Sequence, residues 1–85
     1  MALDILYFAW VRERIGTGAE QVEPPVEVRD VRGLVTWLAG RSEGHAAALC
    51  EPERLRAAMD NRFVSLDAEL DGAREVALFP PVTGG

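Results

Sequence analysis

The sequence predicts an α+β fold, a mixed sheet wrapped around one main helix, on three observations. Val31, Leu34, Val35 and Leu38 follow the i, i+3, i+4, i+7 spacing of a single apolar helical stripe. Short runs rich in β-formers lie on both sides of it, bounded by Gly, Pro, Asn and Asp. A chain of 85 residues has room for one modest core, burying about 60 to 65% of the surface its unfolded form exposes, so strands and helix must share it.

Leu3 to Trp10 reads as the first strand, because Leu3, Ile5 and Tyr7 alternate with Asp4, Leu6 and Phe8 and no breaker intervenes. Charges and two glycines mark Arg12 to Gly18 as a loop. Glu20 to Glu23 resumes a short strand that Pro24-Pro25 ends, with Val26 to Val28 offering a continuation. Asp30 is a good N-cap for the main helix, which ends near Gly40. Gly33 costs that helix about 1 kcal/mol relative to alanine, so its stability must come from packing. Trp37 falls at the edge of the stripe, where it flanks the core. Residues 46–50, Ala-Ala-Ala-Leu-Cys, suit a short helical turn. Leu55 to Met59 and Arg62 to Leu66 flank Asp60-Asn61, a two-residue link suited to a tight hairpin. Asp71-Gly72 marks a turn before the last strand, Glu75 to Phe79. The order strand, strand, helix, hairpin, strand fits a ubiquitin-like β-grasp over residues 1–79, followed by an extended C-terminal tail, 80–85.

Composition narrows the function. A formal charge of −5 lacks the basic stripe of a nucleic-acid binder and favours partners with positive surfaces. No apolar run approaches a membrane span, and Met1-Ala2-Leu3-Asp4 lacks a signal-peptide pattern, so a cytoplasmic location is expected. One cysteine and one histidine cannot build a metal cluster. Cys50 is expected to pack as a small apolar residue, and His45 to be solvated in a loop. All nine basic residues are arginine. Without lysine the chain cannot accept an isopeptide bond on its own side chains, nor supply a Schiff-base lysine. No Walker loop, Gly-x-Gly-x-x-Gly, Ser-His or Cys-His pair stands at a catalytic spacing, and Gly16-Thr17-Gly18 is too short to cradle phosphate.

Strand parity adds a surface. Phe8 shares parity with Asp4, Phe63 with Ser65 and Asp67, and Phe79 with Glu75. All three phenylalanines of the chain therefore fall on the solvent side of their strands. Neighbouring strands would make of them an exposed aromatic patch of the kind that marks partner surfaces, whereas a twist or bulge would turn one or more into the core.

The ending Pro80-Pro81-Val82-Thr83-Gly84-Gly85 carries the chemistry. Proline fixes φ and resists coiling, and the two glycines let backbone approach surfaces that a Cβ would block. Six extended residues span about 20 Å, enough to deliver the Gly85 carboxylate into another protein's active site. A carboxylate is a poor electrophile until it becomes a mixed anhydride with AMP. A sulfur donor can then leave a thiocarboxylate in its place, and the adenylating machinery must belong to a partner.

With Tyr7-Phe8-Ala9, Val11-Arg12-Glu13, Gly16-Thr17, Asn61, Val64-Ser65 and Glu75-Val76-Ala77 through Phe79-Pro80-Pro81-Val82-Thr83-Gly84-Gly85, the chain resembles the small subunits of molybdopterin synthase over its whole length. These are the ubiquitin-like sulfur carriers of molybdenum cofactor biosynthesis. The resemblance implies that Gly85 is adenylated by an ATP-using adenylyltransferase of the ubiquitin-activating type and loaded by a sulfurtransferase. Pro80, Pro81, Val82, Thr83 and Gly84 then thread into the large subunit of a heterotetramer, where sulfur passes to cyclic pyranopterin monophosphate. The resemblance also implies that the interface includes Phe8, Phe63 and Phe79. One departure is Asp71-Gly72-Ala73-Arg74-Glu75-Val76 where the family has Asp-Gly-Asp-Glu-Val, which shifts the turn by one residue; Trp10 and Pro24-Pro25 are also particular to this chain. Three other readings share features of the tail: a sulfur carrier for thiamine thiazole synthesis or tRNA thiolation, a ubiquitin-like modifier, and a module whose Pro-Pro docks in an aromatic groove.

Overall fold

Leu3, Ile5 and Tyr7 turn inward from β1 (Leu3–Tyr7) while Asp4 faces water, the alternation of a strand with one wet face. The computed structural model describes residues 2–81. Here β1 stops at Tyr7, earlier than the alternation through Trp10 suggests, and a helix, α1 (Ala9–Ile15), replaces the strand's end and the start of the expected loop. Ala9 adopts φ 54, a left-handed conformation that reverses the chain directly after Phe8. Gly16, at φ 97, ends the helix by donating to the Arg12 carbonyl.

β2 (Ala19–Val22) pairs antiparallel with β1, Leu3 opposite Val22 and Leu6 opposite Ala19. Pro24-Pro25 ends it as expected, but Val26 and Glu27 form a turn instead of prolonging the strand. The main helix, α2 (Val31–Ala39), buries Val31, Leu34, Val35 and Leu38, the predicted stripe. The Asp30 carboxylate caps it, accepting from the Gly33 N–H at 2.7 Å. Any Cβ at Gly33 would stand 3.0 Å from Asp30 Oδ1, so the glycine that weakens the helix also leaves room for its cap.

α3 (Glu43–Leu49) starts earlier than the expected turn at 46–50, capped by the Ser42 hydroxyl on the His45 N–H at 3.1 Å. Cys50 follows it and is exposed, not packed. Past a 3₁₀ turn (Pro52–Arg54), β3 (Arg56–Met59) and β4 (Arg62–Val64) form the hairpin, with Asp60 and Asn61 both at positive φ, 49 and 70. β5 (Glu75–Phe79) follows the Asp71-Gly72 turn, where Gly72 adopts φ 78.

The strands form one five-stranded sheet in the order β2-β1-β5-β3-β4. β5 lies in its centre, parallel to β1 and antiparallel to β3. Ile5, Tyr7, Val76 and Leu78 of the sheet pack with Leu34, Leu38 and Leu49 of the helices in one core. The opposite face of the sheet carries the other parity of every strand.

Candidate functional site

Each strand contributes alternate residues to the helix-free face, and register decides which of them meet. Ala77 of β5 lies opposite Leu6 of β1 and Ala58 of β3, Ala58 lies opposite Phe63 of β4, and Phe79 lies opposite Arg56. Phe63 and Phe79 therefore share a face two strands apart, and their rings meet at 5.9 Å between centroids, tilted by 59°. Phe63 remains 85% exposed, and Phe79 is half-buried. Phe8, just past β1, is 47% exposed, and its N–H donates to the Leu78 carbonyl at 3.2 Å, which anchors it beside the end of β5. Together with Leu6, Ala58 and Ala77 they give an apolar surface without a helix to cover it.

Charge on this face is separated along the strands. Asp4 and Glu75 are register partners at the start of β5, and Arg56 is the partner of Phe79 at its end. The chain leaves the sheet at that end. Pro80 is half-buried and Pro81 exposed, and neither has an N–H with which to continue the ladder. Val82, Thr83, Gly84 and Gly85 lie outside the described residues.

A second cluster lies across the sheet, where the sequence placed only a solvated histidine. His45 is on α3 and 8% exposed, with its Nε2 2.6 Å from Glu20 Oε2 and its Nδ1 2.7 Å from Ser42 Oγ. The buried Tyr7 hydroxyl donates to the same Glu20 oxygen at 2.7 Å, and Arg41 Nη2 stands 3.6 Å from Glu20 Oε1. Burial opposes ionisation of Glu20, but the hydrogen bonds from His45 and Tyr7 and the charges of His45 and Arg41 outweigh it and hold the carboxyl below its ordinary range. Burial first, then the hydrogen bond and the charge of Glu20, push the Tyr7 phenol up, so it stays a neutral donor. Ser42 three residues before His45 was the one local signal of this cluster; Glu20 lies 25 residues from its histidine, where no spacing rule reaches. The cluster ties β1, β2 and α3 together on the core side and does not join the aromatic face.

Arg12 and Glu13 are exposed on α1 and line a shallow depression with Ala9 and Gly16, while Trp10 lies under the Arg14 guanidinium, 4.6 Å from ring centroid to carbon. Among the described residues no group of three or more His, Cys, Asp or Glu is placed to hold a metal ion. No helix among them is long and apolar enough to cross a membrane. Among the described residues, what the aromatic face places beside Pro80 and Pro81 is apolar rings and the Arg56 guanidinium, groups suited to recognition.

The model of the ThiS family matches residues 5–85. The chain is 42% identical over 83 residues to the molybdopterin synthase sulfur carrier subunit of Escherichia coli (strain K12), covering 98% of this chain and 99% of that protein. It is 35% identical to the protein of the same name from Haemophilus influenzae, again over 98% and 99% of the two chains. In structure it is similar to SAMP1 from Haloferax volcanii, with a TM-score of 0.75 over the whole of both chains at 20% identity. That likeness agrees with the β-grasp expected from the order of elements.

Proposed function

The chain belongs to the ThiS family, and from that premise we propose that it is the sulfur carrier subunit of a molybdopterin synthase, as the relatives from Escherichia coli and Haemophilus influenzae are named. One observation in the fold carries the reading. The central strand of the sheet ends in a Pro80-Pro81 exit at the half-buried Phe79, whose ring meets the exposed ring of Phe63. A body with a recognition face at the root of a stiff exit is built to present the end of its chain to someone else's active site.

In this reading the chain is one domain, 1–79, and a tail, 80–85. A partner adenylyltransferase activates Gly85: a carboxylate oxygen attacks the α-phosphorus of ATP and pyrophosphate leaves. The terminal sulfur of a persulfide on the sulfurtransferase then displaces AMP at the carbonyl carbon, and a thiol cleaves the resulting acyl disulfide, supplying the two electrons that release the thiocarboxylate and leaving a disulfide behind. Glycine suits both steps because its carbonyl can be approached from either face. Phe8, Phe63 and Phe79 dock on the large subunit, and Pro80 to Gly84 thread the loaded end toward the pterin. The domain itself contributes placement, not bond-making.

Intact-mass measurement of the protein from cells with and without the adenylyltransferase tests this. The carrier reading expects a mass increase of one O-to-S exchange that disappears in the second strain. Covalent ladders on denaturing gels, with no such exchange, would establish a modifier instead.

A further inference from the structure

Arg56 is the only cation among the strand residues of the aromatic face. Its register partner is Phe79, so it stands at the root of the tail, at the opposite end of the face from Asp4 and Glu75. Its side chain is exposed but not loose. Nη1 donates to the carbonyls of Leu55 at 3.0 Å and Glu53 at 3.4 Å, which leaves Nε and Nη2 without an acceptor among the described residues. The neighbouring acids are engaged elsewhere, Glu53 with Arg32 and Glu51 with Arg54.

Any surface that takes in the chain beyond Phe79 must also cover the residue beside Phe79. Covering an unpaired guanidinium is costly unless an anion meets it. We propose that Arg56 is a specificity contact of the docking face, and that the large subunit meets it with a carboxylate at the mouth of the pocket that receives the tail, beside an apolar socket for Phe63 and Phe79. The proposal rests on the reading of the aromatic face given under the proposed function. It adds what rings alone cannot supply: apolar contact sets area, while one off-centre charge sets which end of the face turns toward the pocket. A forked guanidinium, held by two carbonyls and open on its other nitrogens, matches the two oxygens of a carboxylate.

The test is isothermal titration of the large subunit with the carrier and its Arg56→Gln, Arg56→Glu and Phe63→Asp variants, with the thermal midpoint of each carrier measured alone. Both Arg56 variants lose the same two carbonyl hydrogen bonds, so a difference between them reports charge. Arg56→Gln is expected to weaken binding about 3- to 10-fold and Arg56→Glu about tenfold further, with similar midpoints. Arg56→Glu also makes the chain two charges more negative than its −5. If overall acidity governed attraction to a basic partner, that variant would bind more tightly than Arg56→Gln. Wild-type affinity in Arg56→Gln, or binding by Arg56→Glu as tight as by Arg56→Gln, overturns the proposal. Wild-type affinity in Phe63→Asp overturns the docking face itself, which separates the two failures.

Discussion

Tyr7 and His45 reach the same atom: the phenol oxygen and the imidazole Nε2 lie 2.7 and 2.6 Å from Oε2 of Glu20. A carboxylate only accepts, so both contacts are donations, and one edge-strand side chain holds β1 and α3 together. Glu20→Gln removes the charge at nearly constant shape and puts an amide against two donors. A loss of about 1–3 kcal/mol in urea denaturation at neutral pH is expected. The pH dependence has a definite sign. The folded state holds the Glu20 pKa down, so its contribution is complete above the ordinary glutamate value and fades as pH falls through the depressed one. Wild-type stability should therefore fall with acidification over that range more steeply than that of Glu20→Gln. Parallel pH profiles would show that the carboxylate is not part of the lock.

Gly44 sets how closely α3 lies on α1. A Cβ there would stand 2.5 Å from the Arg14 carbonyl oxygen and 3.3 Å from the Ile15 Cα, both backbone atoms that no rotamer change can move. Gly44→Ala gains helix propensity but must push the helices apart. We expect a net loss of about 1–3 kcal/mol, read as a lower denaturation midpoint at unchanged slope. An unchanged or raised midpoint would mean that the helices separate freely.

Phe63 and Phe79 touch each other but differ in burial, which predicts different consequences of truncation. Phe63→Ala removes a ring that is 85% exposed, so stability should move by less than about 0.5 kcal/mol. Affinity for the large subunit should fall about tenfold or more. Phe79→Ala should lower both, because its ring is already half-buried in the free carrier. The comparison needs only a thermal melt and a binding titration of each variant.

Gly84→Ala and Gly85→Ala test the tail without touching the domain. In the proposed reading a methyl group obstructs either the threading or the approach to the acyl carbon. Sulfur transfer in a reconstituted synthase should drop at least about tenfold, with the melting temperature unchanged. Normal turnover by both variants would count against a narrow pocket.

What could be read from the residues and what could not divides along physical lines. α2 was legible because four apolar residues repeat on one stripe behind an Asp cap. The hairpin was legible because Asp60 and Asn61 tolerate positive φ. α1 was not, because it buries Val11 alone, has no side-chain cap and begins at a left-handed Ala9, so neither period nor capping announces it. Its support comes from α3, which lies beyond β2 and α2 in the chain. The burial of His45 was not legible for the same reason: the adjacent Gly44 is a close-packing position, and the partner of the histidine is 25 residues away in sequence. Parity placed Phe63 and Phe79 on the helix-free face, and Phe8 remains exposed although it has left the strand. Arg56 could have been found by the same parity count once the hairpin turn fixed which residues of β3 and β5 face one another.

The placement of β5 has a mechanical side. Traction applied at Pro81 along the strand axis is borne by β5, which is bonded on one flank to β1 and on the other to β3. Both ladders are then loaded in shear, so their bonds must yield together and not one after another as in peeling an edge. A pull at Pro81 along that axis therefore moves the whole globule as a rigid handle instead of unravelling it.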